Sequence, residues 1–269
     1  MITLKFGGTS MGNARRILDS SDIIIKRAEE DRLSVVVSAV AGVSNSLQAA
    51  IDSSVTGTPS TKFTNELKSI HSEICSEIQS KLPGFSAEKV MEKLNPYFEE
   101  IQKLLDGVAA LGECPDTIYC RLMGMGELLS SPIMEAVLLA KGMSVMLMDS
   151  RKYVFTTGNQ KEGEADYAKC ADACRPFRDG ERETQTRILL FQGFICSWTK
   201  GTGYAPVMGL LGRNGSDFSA AIIGASLRVK RVEFWTDVDG VYTADPRIVK
   251  DAVLVDDMTY EEAMELSFF

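Results

Sequence analysis

Histidine is the scarcest chemistry-bearing residue in this 269-residue chain: it occurs once, as His71. That leaves little room for Ser-His-Asp hydrolysis, Cys-His proteolysis or His-rich metal sites. Positive charge is also short, with 29 Lys+Arg against 37 Asp+Glu and a net charge of −8 at pH 7. A duplex nucleic-acid binder needs a basic face to displace counterions from phosphates, so that class is disfavoured. The six cysteines (Cys75, Cys114, Cys120, Cys170, Cys174 and Cys196) include no CxxC pair, which argues against a zinc ribbon or a thioredoxin-type redox site. They read as small, partly buried thiols of a reducing compartment. No basic n-region or apolar h-region precedes Ile2–Phe6. No apolar run is expected to reach the ~18–20 residues of a membrane helix. A soluble cytoplasmic protein is expected. At 45% hydrophobic and 25% charged, the chain has ordinary globular composition rather than that of a disordered or fibrous one.

Apolar periodicity predicts alternating strands and helices. Ile2–Phe6 reads as a strand, Asn13–Asp31 as a helix, Leu33–Val40 as a buried strand and Val43–Val55 as a helix. This β-α-β-α order implies a mostly parallel sheet with helices on both faces. Thr56–Thr61 is a linker. Residues 62–112 carry only helical spacing, broken at Leu82-Pro83-Gly84, and read as a helical hairpin inserted into the sheet domain or lying over it. His71, among serines and glutamates in that hairpin, is expected at the surface. Further along, Thr117–Lys141 reads as a helix, Met143–Met148 as a strand and Arg187–Ser197 as one buried strand. The expected remainder is a loop or hairpin at Trp198–Met208, a helix at Phe218–Leu227, a strand at Arg231–Val238, and a helix from Thr259 with Glu262 completing a capping box.

Three glycine-bearing loops follow strands and open helices: Gly7-Gly8-Thr9-Ser10, Ala41-Gly42-Val43-Ser44, and Gly212-Arg213-Asn214-Gly215-Ser216-Asp217. Ligands of open α/β sheets bind at such carboxyl ends, where free helix N–H groups face anions. One glycine turn says little. Three in one chain, two of them beside a cation (Lys5 and Arg213), point to phosphate binding. None fits GxxxxGK[ST] or GxGxxG, so neither a Walker loop nor a Rossmann dinucleotide site is indicated. Lys5 stands inside an apolar strand and needs a counter-charge or an escape to water. Thr236–Tyr242, with Arg247 close behind, reads equally well as a tight Asp-Gly turn or as a base and ribose pocket.

Lys5-Phe6-Gly7-Gly8-Thr9-Ser10, Gly212–Asp217 and Trp235–Arg247 together resemble the aspartokinases of the amino-acid kinase family, over essentially the whole chain and in order. The Asn214-bearing loop, the helical insert and Met264–Phe269 look most like the kinase portion of bifunctional aspartokinase–homoserine dehydrogenases. The resemblance implies a three-layer α/β/α sandwich with a mostly parallel central sheet and a helical insert at 62–112. The implied reaction is ATP- and Mg²⁺-dependent phosphorylation of the β-carboxylate of L-aspartate, the first step of the aspartate-derived route to lysine, threonine and methionine. Lys5 would neutralise the transferring phosphoryl group and Asp217 would orient Lys5. Gly7, Gly8 and Ser10 would donate to the nucleotide. Ser38, Ser44 (threonine in many relatives) and Ser216 would line the aspartate pocket. Glu127, in Gly126-Glu127-Leu128-Leu129-Ser130, would hold the substrate ammonium, and Arg213 would fork onto a substrate carboxylate. Thr236, Asp237, Tyr242 and Arg247 would surround the nucleotide.

In the family, the motif ending here in Ser267-Phe268-Phe269 continues into a Gly-Ala-Lys segment and regulatory ACT domains. A fragment of a longer, homo-oligomeric protein is therefore expected. The aspartate carboxylate, which ordinarily titrates at ~3.9, is already an ionised nucleophile at neutral pH, and this suits a chain with one imidazole. The competing readings are another amino-acid-kinase-fold enzyme acting on a different carboxylate, and a nucleotide-binding module without turnover.

Overall fold

The computed structural model describes residues 1–178, 186–201 and 203–267. Strand β1 (Ile2–Phe6) leads into helix α1 (Ala14–Glu30), capped by the Asn13 side chain on the Arg16 N–H, then β2 (Leu33–Val37) and α2 (Val43–Val55). Helices α3 (Thr61–Lys81), α4 (Ala87–Leu111), α5 (Asp116–Met123) and α6 (Met125–Ala140) follow before β3 (Val145–Met148). Two short strands, β4 (Phe155–Gly158) and β5 (Gly163–Ala165), precede α7 (Tyr167–Arg178). The chain then forms β6 (Ile188–Gln192), β7 (Ile195–Trp198), β8 (Val207–Leu210), α8 (Gly215–Leu227), β9 (Val232–Trp235) and α9 (Tyr260–Ser267).

The central sheet has the order β3-β6-β2-β1-β9 and every pairing in it is parallel. Both faces are covered, which is why β2 is buried at every residue and reads as an unbroken apolar run. Leu33, Val35 and Val37 enter the core shared with α1, α2 and α6, while Val36 enters the core shared with α7 and α8. This is the expected three-layer sandwich. The helical insert packs α3 against α4 and lays the pair over α1, α2 and α6, adding cover to one helical layer without contributing a strand.

Several boundaries differ from the sequence expectations. The strand expected at Leu33–Val40 stops at Val37, and Ser38–Val40 leave the ladder to line the site. The single strand expected at Arg187–Ser197 is two strands in different sheets, broken at Gly193 and Phe194, where Phe194 takes a left-handed φ of 64°. The helix expected at Thr117–Lys141 divides at Gly124, which is pressed beneath Ile195 and Met208. Strands β4, β5, β7 and β8 form a second, mixed sheet of order β5-β4-β7-β8, for which β4 and β5 give no sequence signal. The run Asp116–Ala140 is, contrary to expectation, long and apolar enough to cross a membrane by composition. Its most apolar window is 83% buried inside the fold, as befits a core helix. The capping box appears as expected, with the Thr259 N–H on Glu262 Oε2 at 2.7 Å and the Glu262 N–H on Thr259 Oγ1 at 3.2 Å.

The chain divides into two compact units, Met1–Trp235 and Thr236–Phe269. The second contains α9 and a small bridge between Tyr242 and Leu254. Phe268 and Phe269, part of the motif above, lie outside the described residues.

His71 is buried rather than exposed, at 0% relative accessibility. Its neighbours along the chain are polar, but its neighbours along the helix face are Leu67, Ile74, Cys75 and Ile78, and that stripe turns onto α4. His71 Nδ1 lies 2.7 Å from the Leu67 carbonyl, which can only accept, so Nδ1 carries the proton. The ring meets Phe98 edge-on at 5.7 Å, and Nε2 has no partner. Burial holds the His71 pKa below its ordinary 6.5, so the unfolded chain takes up a proton that the native state refuses. Stability from this group is present above about pH 6.5 and is lost as the pH falls. Thermal melts of wild type should therefore weaken with acid, and His71→Leu should flatten that dependence below the usual histidine range.

Candidate active site

Strand alternation decides where Lys5 points. Ile2, Leu4 and Phe6 enter the core beside α1 and α6, so Thr3 and Lys5 face the α8 side. There Lys5 Nζ meets Asp217 Oδ1 at 2.6 Å. Asp217 stands in the first turn of α8, where the helix dipole also favours a carboxylate. Lys5 is 14% exposed and Asp217 45%, which places the pair at the margin of water.

Three loop segments converge here. Gly7 and Gly8 lead into a short 3-10 turn at Thr9–Met11, and Gly8 packs against the Ala39 carbonyl. Gly42 opens α2 at φ 83°, a left-handed value that glycine adopts without penalty, and so places Ser44 in the first turn of that helix. Asn214, at φ 57°, opens α8 and is a residue type that tolerates this region. The walls enclose a cleft of about 340 Å³.

Glu127, near the start of α6, completes the floor. It is 3% exposed. Its Oε1 accepts the Ala39 N–H at 3.3 Å, whereas Oε2 has no partner. Gly126 makes the approach possible, because a Cβ there would lie 2.7 Å from the Ala39 Cβ. Burial lifts the Glu127 pKa to about 8, only partly offset by two backbone N–H groups, those of Ala39 and of Glu127 itself.

Of the residues singled out in the sequence, Lys5, Gly8, Ser38, Ser44, Glu127, Ser216 and Asp217 line this one cleft. Gly7 and Ser10 are not among its lining residues: the Gly7 N–H bonds to the Trp235 carbonyl at 3.4 Å, and the Ser10 carbonyl accepts the Ser20 hydroxyl. Arg213 is exposed on the turn between two lining residues, Gly212 and Asn214. Thr236, Asp237, Tyr242 and Arg247 all belong to the second unit. That unit has a mainly apolar cavity of about 730 Å³, lined by Tyr242, Asp245, Ile248 and Leu266 among others. Arg247 is clasped by Asp245 through two of its nitrogens, which holds the Asp245 carboxyl down at about 2. Sequence reasoning assigned no role to Met123, Phe194, Asn214 or Ala39, all of which line the first cleft. Only Asn214, beside a glycine in a turn, carried a usable signal.

The model of the amino acid kinase family matches residues 1–269. A bifunctional aspartokinase/homoserine dehydrogenase of Buchnera aphidicola is 34% identical over 273 residues, covering 100% of this chain and 32% of the relative. The lysine-sensitive aspartokinase 3 of Escherichia coli is 30% identical, covering 100% of this chain and 56% of the relative. The chain thus spans about a third to about half the length of these relatives. The crystal structure of E. coli aspartokinase III with aspartate and ADP superimposes with a TM-score of 0.84 at 28% identity, over 100% of this chain and 56% of the other.

Glu127 also sets a pH dependence. Between its ordinary 4.5 and about 8, the native state keeps a proton that the unfolded chain has released. Its contribution to stability therefore falls as the pH rises across that window. Denaturant unfolding at stepped pH should show this decline in wild type, and Glu127→Gln should remove it.

Proposed function

The chain belongs to the amino acid kinase family, and we propose that it catalyses ATP-dependent phosphorylation of the β-carboxylate of L-aspartate to 4-phospho-L-aspartate. One observation carries this reading. A single cleft combines a lysine fixed by an ion pair at a strand end with a buried carboxylate that has one oxygen unpartnered. The first suits a phosphoryl group in transfer, the second an ammonium group, and a free amino acid with a nucleophilic carboxylate needs both.

In this mechanism Glu127 receives the α-ammonium, and Ser38, Ser44 and Ser216 offer hydroxyls along the pocket. The exposed Arg213 guanidinium receives a substrate carboxylate. No general base is required, because the attacking β-carboxylate is ionised at neutral pH. Catalysis is then positioning and charge compensation. Lys5, oriented by Asp217, offsets charge on the phosphoryl oxygens, assisted by the N-terminus of α8. For the nucleotide, the reading assigns Thr236, Asp237, Tyr242 and Arg247 of the second unit, and of these four Tyr242 lines that unit's apolar cavity. Among the described residues no group of three metal-ligating side chains occurs. Magnesium would thus be held chiefly by phosphate oxygens and water, its usual manner in kinases, and would supply charge neutralisation. The reading includes a cytoplasmic setting and, for a longer parent chain, a homo-oligomer.

Hydroxylamine trapping of the acyl phosphate tests the proposal. Hydroxamate should form from Mg-ATP and L-aspartate, not from L-glutamate, and Lys5→Ala should lower the rate by about a hundredfold or more. ATP binding without any hydroxamate would instead identify a nucleotide-binding module without turnover.

A further inference from the structure

One peptide group just past the end of β2 is gripped at both ends by a single turn of α6. The Ser130 hydroxyl donates to the Ser38 carbonyl at 2.7 Å, and the Ala39 N–H donates to Glu127 Oε1 at 3.3 Å. The Ser38 carbonyl and the Ala39 N–H belong to the same amide, so the two side chains together fix its plane. Ser130 is fully buried, and its alternative acceptor, the Glu127 carbonyl of its own helix, is farther away at 3.3 Å. The tighter bond therefore runs between elements rather than within the helix.

The orientation of this amide bears directly on Glu127. If the amide rotated, the Ala39 N–H would leave Oε1 and the Ser38 carbonyl dipole would turn towards a buried carboxylate. We propose that Ser130 is a positioning residue for Glu127: by holding the Ser38 carbonyl it presents the Ala39 N–H to Oε1 and leaves Oε2 open to an ammonium-bearing ligand. The last clause rests on the proposed function; the clamp itself does not. The other charged groups lining the cleft, Lys5 and Asp217, are paired with each other. Among the described residues no charged side chain offsets the burial of Glu127, and the groups that favour its ionised form are the backbone N–H donors of Ala39 and of Glu127 itself. Loss of the Ala39 donor should therefore make Glu127 harder to ionise.

Two measurements on the full chain separate the clamp from the function. In the ligand-free protein, the Glu127 carboxyl band, identified by its loss in Glu127→Gln, can be titrated by infrared spectroscopy. Ser130→Ala should move its midpoint up by about one pH unit, and Ser130→Thr, which restores the hydroxyl, should bring it back. Should Ser130→Ala fail to fold, Ser130→Cys, similar in size but a weak donor, takes its place. An unmoved midpoint in the folded variant overturns the proposal. Calorimetry with L-aspartate is the second arm. Binding by Ser130→Ala should weaken about tenfold near pH 7, with the gap narrowing near pH 9 as Glu127 ionises in both proteins. If Glu127→Gln binds aspartate as wild type does, the functional reading fails while the titration still decides the role of Ser130. If Glu127→Gln loses binding and Ser130→Ala does not, the functional reading stands and the clause that ties Ser130 to ligand binding is overturned.

Discussion

An ammonium group held within a sheet that is buried on both faces needs a fixed anion, and the Lys5–Asp217 pair meets that need. Alternation along β1 commits Lys5 to the α8 side once Leu4 and Phe6 enter the opposite core. The counter-charge must then come from an element crossing that face, and the first turn of α8 supplies it at 2.6 Å. The remaining geometry follows. The start of α8 is drawn to the carboxyl edge of the sheet, the Gly212–Asp217 loop is brought beside the loops that follow β1 and β2, and a cleft opens where they meet.

The charges of that cleft are unequally balanced. Lys5 and Asp217 satisfy each other, whereas Glu127 is buried with one oxygen unpartnered and its proton retained to about pH 8. A buried carboxylic acid of this kind costs stability whenever it must ionise, and it is the sort of perturbed group that collects at functional sites. A ligand bearing a positive charge would relieve the penalty; a neutral or anionic one would not. Under the proposed function, selectivity for amino acids over simple dicarboxylates would follow from the energetics of the empty site.

Strong local signals made much of this legible in the sequence. Helix α2 begins and ends where its periodicity predicts, and the Thr259–Glu262 box opens α9. Lys5 could be nominated because a lysine in an apolar strand demands an explanation, and Asp217 was reached as its partner through family resemblance. Three features were hidden, each by a different physical cause. His71 is surrounded by polar residues in sequence and apolar ones in space, since a helix face is read every three or four residues. The break at Gly193–Phe194 lies inside an apolar run, because both flanking strands are buried although they serve different sheets. Strands β4 and β5 are too short and too polar for periodicity to register. In the cleft, Glu127 and Ser44 were reached through family resemblance, and the grip of Ser130 on the Ser38 carbonyl requires coordinates.

The strand order β3-β6-β2-β1-β9 has a consequence for how the chain is made. β1 precedes the other strands of its sheet in the chain but lies between β2 and β9, with Thr3 opposite Val232. On the ribosome its outer edge stays unpaired until nearly the whole unit has emerged, and β2 likewise waits for β6. Meanwhile the apolar run Asp116–Ala140 still lacks β3, β6 and β8, the covering strands that follow it in the chain. Such long-range pairing slows folding and leaves unsatisfied edges and apolar surface available to other chains. The arrangement that brings Lys5 to the carboxyl edge of the sheet thus also leaves that sheet unfinished until β9 arrives.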